Sequence, residues 1–174
     1  MLTIFKKIFS IRTDIKGNQI DFDDCWTVDK IINRNRLLAR LIELVPIDSI
    51  WTIEGLSDKN IYDLISKHIF VDDNKVWNGT IWPKQNFFKI QLTETAKTDI
   101  LKELPGWDLE LNIIHQHIYK DNKYYLTSYD NLHEWCTWIS MYFDIVEMNK
   151  LKDQNILDFY DAKQVMNKKT KHNK

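Results

Sequence analysis

The stretch LELNIIHQHIYKDNKYYLTS, Leu109 to Ser128, decides the fold. Two runs rich in β-branched and aromatic residues, Leu109 to Tyr119 and Lys123 to Ser128, flank Asp121-Asn122. Side chains of the first kind suit a pleated strand, and Asp-Asn suits a tight turn. The spacing therefore predicts an antiparallel hairpin. Segments of helical periodicity lie on both sides of it without regular βαβ alternation. That pattern places the chain in the α+β class, with a mostly antiparallel sheet of four or more strands and about four helices packed on one face.

Working outward, Asn131 to Leu151 carries Leu132, Trp135, Cys136, Ile139, Tyr142, Phe143 and Val146 at helical spacing. This predicts a long helix, capped by Ser128 or Asp130 and packed centrally against the sheet. Upstream, Thr93 to Leu104 reads as a helix closed by Pro105-Gly106, and Asn86 to Leu92 as a strand. Residues 70–92 read as strands with turns at Asp72-Asp73-Asn74 and Asn78-Gly79, and Pro83 marks an edge or a break. Ile50 to Ile53 reads as a short strand. A helix follows it, capped by Ser57, with Leu56 stapled on Ile61. Val28 to Val45 shows helical spacing between Thr27, a candidate N-cap, and Pro46. Residues 11–25 are polar and read as a loop or weak strand. The expected organisation is one domain over 1–160 and a basic, loosely ordered tail over 161–174.

Composition sets the boundaries of function. The 174 residues are 44% hydrophobic and 13% aromatic, enough for a core and too apolar for a disordered chain. Formal net charge is −1, but four of the last seven residues are lysine, so the rest is mildly acidic. An acidic body disfavours nucleic acid, although Arg34, Arg36 and Arg40 with the lysine tail could make one basic patch. Lys6 and Lys7 interrupt the apolar N-terminus, and no run approaches the ~20 apolar residues of a membrane span. The expected location is the cytoplasm, with Cys25 and Cys136 as reduced thiols outside any CxxC pair.

The candidate chemistry is sparse. His115 and His117 are two apart, so on a strand both imidazoles face one way, and His133 could supply a third metal ligand. His133-Glu134 begins like a zinc-protease HExxH, but Thr137 stands where the second histidine belongs. His133 and Cys136 could pair as base and nucleophile only if the thiol were activated. Nucleophile elbows, phosphate loops and dinucleotide glycine turns are all absent, and four glycines leave little scope for them. No cofactor is expected. Acidic loop residues, among them Glu54, Asp72 and Asp73, could face a basic protein surface together with Trp51, Trp77 and Trp82. These six are the candidate interface.

The run His117 to Asp130, a hairpin ending in Ser128-Tyr129-Asp130 before a long C-terminal helix, is similar in layout to small bacterial immunity proteins of polymorphic toxin systems. The resemblance covers residues 109–152. It implies a non-catalytic protein that binds and neutralises a cognate toxin, and it carries over no site residues. Two alternatives stand beside it: a metal-dependent hydrolase using His115 and His117, and a nucleic-acid-binding regulator.

Overall fold

The computed structural model describes residues 24–71, 87–121 and 123–161. Its centre is one antiparallel sheet of eight strands in the order β3-β4-β2-β5-β6-β7-β1-β8. These are β1 (Cys25–Ile31), β2 (Ser49–Glu54), β3 (Ile69–Val71), β4 (Phe87–Leu92), β5 (His115–Lys120), β6 (Lys123–Ser128), β7 (Thr137–Ser140) and β8 (Leu157–Tyr160). Five α-helices accompany them among the described residues: α1 (Arg34–Leu44), α2 (Lys59–Ile65), α3 (Glu94–Glu103), α4 (Leu109–Asn112) and α5 (Ile145–Asp153). The α+β class with an antiparallel sheet is therefore established, and no described helix is long and apolar enough to cross a membrane.

The register explains which face is apolar. Ile69, Ile90, Trp51, Ile118, Leu126, Ile139 and Trp26 form one row across seven strands, each opposite the next. Opposed residues in an antiparallel pair share a face. From Ile90 to Trp26 this row joins Leu38 and Ile42 of α1, Ile61 and Ile65 of α2, Ile100 of α3 and Met148 of α5 in one buried cluster. The helices thus pack on that face. The reverse face carries the alternate row Lys89, Thr52, His117, Thr127, Trp138, Thr27 and Tyr160.

Three expected elements need correction. The helix expected over 28–45 begins only at Arg34, because Asn33 rather than Thr27 is its cap and accepts from the Arg36 N–H at 2.9 Å. Residues 25–31 form β1 instead, where Trp26, Val28 and Ile31 are buried between β7 and β8. The helix expected over 131–151 is a turn, a 3-10 turn (Glu134–Cys136), β7 and then α5. Thr137-Trp138-Ile139 has strand chemistry, and Asp144 caps a new helix by accepting from Glu147 N–H at 2.9 Å. The expected strand from Leu109 starts only at His115, because Asp108 caps the short α4.

The helix after β2 is capped by Asp58, which accepts from Asn60 and Ile61 N–H at 2.7 and 3.1 Å, while Ser57 hydrogen-bonds Asn112. The strands over 49–54, 87–92 and 123–128 and the helix after Thr93 stand as expected. The turns at 72–74 and 78–79 and Pro83 lie outside the described residues.

Candidate functional site

Two regions bring chemically distinctive side chains together. The first is the reverse face around β5. His115 and His117 do share that face, and Tyr129 packs edge-on to both, at 5.2 and 5.4 Å between ring centres. His117 also meets Tyr124 at 6.0 Å, and its Nδ1 lies 3.2 Å from the Thr127 hydroxyl. Burial, then the neighbouring His115, lowers the His117 pKa to about 4. His117 is therefore a neutral imidazole at pH 7. Burial also raises the Tyr119 and Tyr124 phenols, so both stay protonated.

His133 does not join this pair. Its Nδ1 accepts from Trp135 N–H at 3.3 Å, and its ring stacks edge-on to Trp135. Among the described residues, no three of His, Cys, Asp and Glu are grouped so as to hold a metal ion. Cys136 offers no activated nucleophile: burial, then Asp130, raises its pKa and keeps it a thiol.

The second region is the turn from Tyr129 to Cys136. Asp130, Asn131 and Leu132 are three successive non-glycine residues in the left-handed conformation, with φ of 51°, 61° and 58°. Such backbone is unfavourable and persists only when its surroundings enforce it. The enforcement is visible. Asn131 N–H donates to the Ile114 carbonyl at 2.9 Å, and its side chain donates to the Glu110 carbonyl. Arg34 binds the Asn131 carbonyl at 3.1 Å and pairs with Glu110 at 2.6 Å. Leu132 is buried and plugs the turn into the core.

That bracing leaves Trp135 72% exposed, with Leu111 of the tethered α4 at 71%. They are the two most exposed large hydrophobic residues among those described. Asp108, Asp130 and Glu134 stand on the same segments. Tyr142, Ile145 and Val146, after β7 and at the start of α5, are also exposed.

The expected interface residues fare differently. Trp51 is fully buried in β2, between Ile90 and Ile118, and stacks on Trp107 at 6.4 Å. It belongs to the core because β2 is a central strand, so it cannot anchor a partner. Glu54, on the same strand, is also buried. Asp72, Asp73, Trp77 and Trp82 lie outside the described residues.

Trp135 and Leu111 escape a periodicity reading that assigns Trp135 to a helix and Leu111 to a strand. The signals that mark them are Asp108 before α4 and Asp130-Asn131, two residues that tolerate left-handed backbone, after a strand. No family model, curated protein or solved structure matches this chain.

Proposed function

We propose that this chain is a non-catalytic, cytoplasmic bacterial protein-binding domain that docks through the Trp135 turn, and that its partner is a toxin domain which it neutralises. The single observation that carries the binding role is an exposed tryptophan held on a braced, conformationally costly turn. Burying a large exposed apolar group against a partner lowers the free energy, and tryptophan, with tyrosine and arginine, is enriched among interface hot spots. The rigid backing also lowers the ordering cost on association. Asp108, Asp130 and Glu134 favour a partner of opposite charge. The toxin assignment rests on the sequence resemblance of residues 109–152, of which the hairpin β5-β6 stands while β7 and the short α5 replace the long helix.

Co-expression with the product of the adjacent gene tests this. A stable complex that suppresses that product's toxicity is expected. Recovery of the wild-type chain with no protein partner, holding nucleic acid in a salt-sensitive manner, would favour the regulator instead.

A further inference from the structure

A row of polar side chains crosses the helix-covered face where apolar ones would be expected. Gln116 of β5 opposes Ser128 of β6, which opposes Thr137 of β7, and none is more than 3% exposed. The adjacent row, Ile118, Leu126 and Ile139, is entirely apolar.

Counting protons fixes the direction of the hydrogen bonds. Thr137 Oγ1 has one proton, and it donates this to the His133 carbonyl at 2.9 Å. Its contact with Ser128 Oγ, also 2.9 Å, is then filled by the serine's proton. Ser128 Oγ is left with acceptor capacity alone. On the other side, Gln116 Oε1 accepts from the Trp51 indole N–H at 3.0 Å, which fixes the amide with Nε2 as its donor end. Nε2 is buried and has no hydrogen-bond partner among the described residues.

An orphan donor and an unfilled acceptor thus stand on directly opposed residues of one strand pair. Buried amide N–H groups are rarely left unpaired in folded proteins, and bound water is a common way to satisfy them. We infer that one ordered water molecule binds between Gln116 and Ser128, accepting from Nε2 and donating to Oγ. The result is a continuous chain of bonds from Trp51 through Gln116, the water, Ser128 and Thr137 to the His133 carbonyl. It joins the centre of the sheet to the turn that carries Trp135. Gln116, Ser128 and Thr137 are positioning residues in this arrangement.

The full chain is the sample for the test. A high-resolution crystal structure should show one solvent peak about 2.7–3.2 Å from both Gln116 Nε2 and Ser128 Oγ. In solution, NMR should show cross-relaxation between the Gln116 side-chain amide and a long-lived water. That signal should vanish in Ser128→Ala, while the Trp51 indole N–H keeps its shift as a control for folding. A direct Nε2–Oγ hydrogen bond, or a wild-type amide without water contact, would overturn the site. A water signal unchanged in Ser128→Ala would overturn Ser128 as its second partner. If that variant does not fold, the two wild-type measurements decide alone.

Discussion

Trp51 and Trp135 are the same residue in opposite circumstances. Trp51 lies at the middle of a central strand, covered by α-helices, with its indole N–H satisfied by Gln116. Trp135 stands on a 3-10 turn between β6 and β7, and most of its surface meets solvent. Sequence context points the wrong way for both. A four-residue apolar strand beside a glycine looks peripheral, and a tryptophan in a helical-looking run looks buried. What separates them is long-range: Trp51 is fixed by β4 and β5, whereas Trp135 is displaced by three left-handed residues that break the helix.

The largest test of this contrast is Trp51→Ala. It removes a fully buried side chain and strands the Gln116 acceptor, and should cost about 3–5 kcal/mol in urea unfolding. A loss under about 1 kcal/mol would mean that β2 is not the packed centre. The reverse face of the same strands gives the next effect. The His117 pKa near 4 lies below the ordinary 6.5, so between those values the unfolded chain binds a proton that the folded chain refuses. Stability should fall as pH drops from about 6.5 to about 4, by at most roughly 3 kcal/mol, and change no further from this cause below that. Comparing wild type with His117→Gln across this range isolates the term, and parallel curves would contradict it.

A smaller effect probes the turn. Leu132→Ala and Leu132→Gly both lose a buried side chain, but alanine must still adopt φ near 58°. Glycine, normally the more disruptive choice, should here be the more stable of the two by about 1 kcal/mol. The reverse order would mean that the left-handed turn is not the native one. The smallest expected change belongs to Trp135→Ala, whose unfolding midpoint should shift by no more than about 0.5 kcal/mol equivalent.

Much of the architecture was legible from local chemistry. The hairpin turn at Asp121, the strands around Trp51 and Ile90, and the helix that follows Thr93 all depend on residues near one another in sequence. β1, β7 and β8 were not, because their pairing is non-local. Trp26 meets Ile139 and Val28 meets Phe159, and neither partner can be inferred from a window of local periodicity. The site suffered the same way. The shared face of His115 and His117 followed from two-residue alternation, but the packing of Tyr124 and Tyr129 on His117, with Trp138 on Tyr129, needed the two chain reversals that bring β6 and β7 alongside. Trp135 could be seen as exposed only once Asp130 to Leu132 were known to be left-handed.

The binding role rests most directly on one comparison, the affinity of wild type and Trp135→Ala for the co-expressed partner, measured on chains of verified equal stability. A loss of about 30-fold or more, the scale of a hot-spot tryptophan, is the predicted result. Equal affinity, with folding intact in both, would contradict the account.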